Sequence, residues 1–120
     1  MNEVILKCVE FQNQIRILHW QTNSFARHKA YDVIYGKLGE LLDDFVEVYQ
    51  GKHLKIEFAE SQITLKSLDA IQLNEYINEF ILLLQNQVPK ELDENDTDLL
   101  NIRDEILATA HKLKYFCALK

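Results

Sequence analysis

A chain of 120 residues has room for one domain around one core. It is 48% apolar and 27% charged with only three glycines and one proline, a composition that favours long helices over strands and turns. The formal net charge of −6, with no Lys/Arg run, excludes the basic footprint that non-specific phosphate binding needs, so nucleic acid is not an expected partner.

The opening MNEVILKCVEFQ has neither a basic leader nor a small-residue cleavage site. No stretch approaches the roughly 20 apolar residues of a membrane span. A soluble cytoplasmic protein without a membrane partner is therefore expected. Val4, Cys8, Phe11, Ile15, Leu18 and Thr22 recur three and four apart and predict a first helix over about residues 2–22. TNSFAR breaks the pattern. Tyr31, Tyr35, Leu38, Leu42, Phe45 and Tyr49 then mark a second helix over about 26–50, with Gly51 placed to end it. The short link makes these two helices an antiparallel hairpin.

Residues 51–67, GKHLKIEFAESQITLKS, differ in kind, because Leu54, Ile56 and Phe58 alternate with period two. This stretch reads as a crossover with a short strand or one helical turn. Leu68, Ile71, Ile77, Phe80, Ile81, Leu84 and Val88 predict a third helix that stops near Pro89. DENDT supplies an N-cap for a fourth, carried by Leu99, Ile102, Ile106, Ala110, Leu113 and Cys117. Lys112, Lys114 and Lys120 suit the negative end of that helix's macrodipole. Cys8 and Cys117 fall on apolar faces and read as free buried thiols. The expected fold is all-α, residues 1–120 forming one domain: two antiparallel hairpins joined by a long crossover, the ferritin-like arrangement of a four-helix bundle.

The second helix carries the chemistry. At about 100° per residue, setting His28 at zero puts Asp32 near 40°, Asp43 near 60° and Glu47 near 100°, with Gly39 near 20° and Gly36 near 80° between the two polar pairs. Asp32 and Asp43 are roughly 16 Å apart along the axis, whereas metal ligands lie about 2 Å from their ion. One chain cannot bring all four to one ion. An antiparallel second copy could, by setting His28 and Asp32 of one chain opposite Asp43 and Glu47 of the other. The two-fold axis would cross between Lys37 and Leu38, which is also the midpoint of Gly36 and Gly39. Glycine at that crossing permits close approach and could offset a helix-propensity cost of about 1 kcal/mol each. The spacing thus predicts an isologous dimer with two equivalent sites. Taken singly, each carboxylate also fits an ordinary solvated helix face.

The run Leu18-His19-Trp20, then His28, Asp32, Asp43 and Glu47, resembles the ferroxidase signature of the Dps family of mini-ferritins. LGELLDDFVE at 38–47 and DTDLL at 96–100 are similar to stretches of the same family. The resemblance implies that His19, His28 and Asp32 form one side of an intersubunit iron site and Asp43 and Glu47 the other. It also implies oxidation of iron(II), with peroxide as the preferred oxidant, for iron sequestration and protection from oxidative stress, in a dimer that can extend to a dodecameric cage. The link from His19 to His28 is three residues shorter than the family pattern, and no lysine-rich tail of the kind that holds DNA is present. Trp20 adjoins the site and also reads as core packing. His53 and His111 match nothing in the signature and read as ordinary surface or crossover residues, and Asp44 as solvated.

Imidazole mixed with carboxylate suits iron(II), with zinc or manganese as competing divalent ions. No Glu-x-x-His motif occurs, which argues against a di-iron centre inside one bundle. The alternative to a ferroxidase is a helical dimer that binds metal without turnover or serves as a structural adaptor.

Overall fold

The structure is a computed structural model that describes residues 1–119; Lys120, and with it that residue's part in the macrodipole argument, lies outside the described residues. Four α-helices make up the chain: α1 (Asn2–Gln21), α2 (Phe25–Lys52), α3 (Ala70–Leu82) and α4 (Thr97–Ala118). No strand occurs among the described residues, and no helix is long and apolar enough to cross a membrane.

The cross-helix bonds fix the topology. His19 meets His28 and Gln12 meets Tyr35, so α1 and α2 run antiparallel. Lys52 reaches Asp98 at one end while Arg27 reaches Cys117 at the other, so α2 and α4 are antiparallel too. Lys114 bonds Asn78, and Arg103 bonds the Leu84 carbonyl, which sets α3 against α4. The fourth seam, between α1 and α3, is bridged by aromatic rings. Phe11 stacks on Phe80 at 3.8 Å between centroids and on Tyr76 at 5.5 Å. Since α2 and α3 point the same way, the chain must travel the length of the bundle between them, which is the long connection that the periodicity predicts.

Each helix buries one stripe. Val4, Cys8, Phe11, Ile15 and Leu18 of α1, Tyr31, Leu38, Leu42 and Phe45 of α2, and Leu99, Ile106, Ala110 and Leu113 of α4 all enter the core as their spacing predicts. Ile71 does not: two residues from buried Leu73, it falls on the opposite, outward face of α3 and is 72% exposed. Both cysteines are free. Burial pushes the Cys8 thiol up to about 12, which keeps it protonated and unreactive.

Three boundaries differ from expectation. Gly51 lies inside α2, which runs on to Lys52 because His53, not the glycine, provides the extended cap. The third helix loosens into a π turn at Leu83–Gln87 and tightens into a 3-10 turn at Val88–Glu91 around Pro89. Pro89 has no N–H to give the carbonyl four residues back, and Arg103 satisfies the neighbouring Leu84 carbonyl at 3.0 Å. The crossover, residues 53–69, holds neither strand nor helical turn. Side chains of α1 supply bonds a partner strand would have made: Asn2 donates to the Glu57 carbonyl and Glu10 accepts from the Thr64 amide, while Gln21 adds a side-chain bond to the Ser67 hydroxyl. Gln14, fully buried, both donates to the carbonyl and accepts from the amide of Lys66.

Candidate functional site

The turn between α1 and α2 is three residues long, Thr22 to Ser24. Ser24 caps α2 by accepting from the Arg27 amide, and its own amide donates to the Thr22 hydroxyl, so the chain reverses without slack. This sharp reversal sets the last turn of α1 against the first turn of α2. The shortened link therefore does not separate the two histidines; it presses them together. Their rings stack with centroids 3.8 Å apart and planes 17° from parallel.

Each ring reaches across to the other's main chain. His19 Nδ1 lies 2.7 Å from the His28 carbonyl oxygen, and His28 Nδ1 lies 2.8 Å from the His19 carbonyl oxygen. A carbonyl can only accept, so both Nδ1 atoms carry the proton. In the neutral rings both lone pairs are then on Nε2. The His19 carbonyl is among the last four of α1, which have no partner within the helix, so the contact also satisfies an orphaned acceptor.

Asp32 follows one turn after His28 on α2, exposed, with Asp43 and Glu47 exposed further along the same helix. None of the three is in an ion pair among the described residues. The structure brings His19 and His28 together but makes no three-ligand group of them with Asp32, and Asp43 and Glu47 remain remote. Asp44 is exposed as expected.

The two glycines separate. Gly36 is open, with no atom within 4 Å of where a Cβ would stand. Gly39 is not at an outward crossing: a methyl there would lie 2.8 Å from Gln12 Nε2 on α1. At about 20° from His28 it falls on the side turned toward α1, so its smallness serves the contact within the chain. Only Gly36 is left for a crossing between copies. Trp20, which also read as core packing, is 63% exposed. The Arg16 guanidinium lies between it and Tyr35, 5.4 Å and 4.9 Å from the two ring centroids.

At the opposite end of the bundle stands a cluster that sequence reasoning missed. Asp96, 1% exposed, accepts from His53 Nε2 at 2.9 Å, Lys52 Nζ at 3.0 Å and the Asp93 amide at 2.9 Å. Asp96 occupies the N-cap position of α4, yet its side chain turns back toward α2 instead of capping the helix. The Asp93 amide, with Lys52 and His53 behind it, holds the Asp96 carboxyl down at about 2. His53 is thus a partner of a buried acid, not an unattached surface residue. His53, Asp93 and Asp96 are the one trio among the described residues whose ligand atoms lie within 4.8 Å of one another. The Lys52 ammonium already supplies the positive charge there, so the trio closes α2 onto the start of α4 as an internal ion pair. Forty-three residues separate His53 from Asp96, and no local spacing could announce the pair.

Residues 19–116 match the family of unknown function DUF5856. A 33-residue stretch, 28% of the chain, is 54% identical to the uncharacterized 14.6 kDa protein in the mobD-ri intergenic region of Enterobacteria phage T4. It covers 26% of that protein, about a quarter of its length. No solved structure matches the chain.

Proposed function

Since the chain belongs to DUF5856, a family without an assigned function, we propose a function from its own residues: a ferritin-like, Dps-type ferroxidase whose iron site is shared between two copies. The observation that carries it is the reciprocal histidine pair. Histidines that ligate metals almost always donate their second ring nitrogen to a carbonyl or carboxylate, which fixes the tautomer and aims the free nitrogen. His19 and His28 both do this, through Nδ1, before any metal arrives.

Iron is the substrate in this reading. His19, His28 and Asp32 of one copy would hold it with Asp43 and Glu47 of a second, packed antiparallel across the open Gly36. The donor set fits: borderline imidazole nitrogens suit iron(II), and harder carboxylates favour iron(III) once it forms. In the overall reaction two iron(II) ions and one hydrogen peroxide, with two protons, give two iron(III) ions and two waters. The chain's part is to hold the ions, leave positions open for the oxidant, and neutralise the product's charge with three carboxylates. The topology of two hairpins with one crossover supports a ferritin-like bundle.

A second reading draws on the same contact. The paired Nδ1 bonds also staple the α1–α2 hairpin, which a metal-binding or adaptor dimer without turnover would need equally. One experiment separates them: anaerobic iron(II) addition followed by a peroxide pulse, with optical growth of iron(III) as readout. Rapid oxidation that vanishes in Asp43→Ala/Glu47→Ala supports the ferroxidase. Traces no faster than buffer, with saturable iron(II), zinc or manganese binding, would favour the inert binder.

A further inference from the structure

Away from the histidines, the start of α2 and the end of α4 enclose a groove of about 450 Å³. That is within the range of small-molecule sites, roughly 300–1,000 Å³. Its walls are apolar: Ala30 and Val33 of α2 face Phe116 of α4 and Leu119 just beyond its end. Val33 is 64% exposed and Leu119 49%, so the described residues leave this surface uncovered. Among the described residues, the charged groups lining it are Arg27 and Lys29. Arg27 is fixed by donating through Nη2 to the Cys117 carbonyl at 2.8 Å, and the Lys29 ammonium rests over the Phe25 ring.

The cationic lining belongs to a larger segregation of charge. Residues 11–31 and 106–119 contain Arg16, Arg27, Lys29, Lys112 and Lys114 and no acidic side chain, in a chain of net charge −6. Folding brings these two segments together, because the turn into α2 meets the end of α4 through Arg27 and Cys117. Lys112 stands one turn before Phe116 on α4 and extends the basic rim. An apolar trough with a cationic rim is complementary to a molecule that is apolar along its length and negative at one end. Its concavity suits a single chain better than a flat lipid surface.

We propose that this groove binds a long-chain carboxylate, with the alkyl chain along Ala30, Val33, Phe116 and Leu119 and the head group against Lys29 and Arg27. The proposal does not depend on the iron site.

The test is calorimetric titration of the full chain with dodecanoate, and with dodecyltrimethylammonium as a chain-matched cation. Saturable 1:1 binding of dodecanoate, with the cation at least roughly tenfold weaker, is the expected result. Lys29→Glu should weaken dodecanoate by about the same factor, since an attraction becomes a repulsion at an exposed position. Ala30→Trp fills the trough and should abolish binding. Ala26→Trp, at an exposed position on the same lining, repeats that test if the first variant loses helicity. Equal affinity for the cation, binding indifferent to both tryptophans, or attachment to phosphatidylglycerol vesicles without uptake of free dodecanoate would each overturn the proposal.

Discussion

Polar side chains at opposite ends of the bundle show how such a group becomes a structural or chemical instrument by what it is bonded to. His19 and His28 give up Nδ1 to each other's main chain and keep Nε2. If those nitrogens are ligands, His19→Ala should weaken iron(II) binding at least tenfold, read by anaerobic titration. His111, exposed on α4 and outside the pair, provides the control: His111→Ala should leave the titration unchanged. At the other end, Asp96 has its carboxyl lowered from 3.8 to about 2, first by the Asp93 amide and then by Lys52 and His53. A depressed folded-state value means that these bonds stabilise the fold above the ordinary carboxylate range and cease to do so as pH falls from about 4 through about 2. Asp96→Asn should therefore melt below the native chain at pH 7, and the two melting temperatures should converge toward pH 2. In the sequence His19 was joined to His28 only through the family resemblance; the ring stacking follows from the three-residue turn, which local spacing did not announce. The Asp96 clamp was not legible either, because only the packed α2–α4 seam brings it together.

Among the elements, α2 is central, packed along both α1 and α4 and presenting its remaining face outward. Gly36 tests what that outward face is for. Gly36→Ala meets no atom and should raise the monomer's stability by about 1 kcal/mol through helix propensity alone. If two copies cross at Gly36, the same substitution should weaken their association in sedimentation equilibrium; a dimer constant unchanged by Gly36→Leu would remove the crossing. The apolar stripes were legible in three helices because each stays in contact with the bundle along its length. In α3 the stripe failed only at Ile71; Leu84 and Val88 are buried as predicted, while Pro89 and Arg103 turn the backbone there to π and 3-10 geometry. Ile34 and Leu41 of α2 are buried as well, because a helix flanked by two neighbours needs a wider apolar arc than one stripe.

For the whole molecule, the central prediction is that the working unit is larger than the chain. Mixing His28→Ala with Asp43→Ala/Glu47→Ala after dissociation should restore oxidation to about a quarter of the native level, because half the random dimers are mixed and each has one intact site. Oxidation by either variant alone, at the native rate, would remove the shared site. Topology was readable at this scale, since one long stretch without helical periodicity between two hairpins must be a crossover. Its conformation was not, because alternation at Leu54, Ile56 and Phe58 suggested a strand for which the fold provides no partner. The way the crossover is secured decides which residues encode its route. Helix α1 binds it chiefly through peptide groups, at Glu57, Thr64 and Lys66, with Gln14 buried beneath. Replacing Gln14 with Leu leaves the Lys66 backbone unpaired, should cost about 1–3 kcal/mol by denaturant unfolding, and should open the segment to proteases. Replacing the exposed side chains of Glu57, Thr64 or Lys66 should cost almost nothing, since every residue except proline offers the same peptide. The route of the segment past these three positions is thus written in α1 and not in the segment's own letters there.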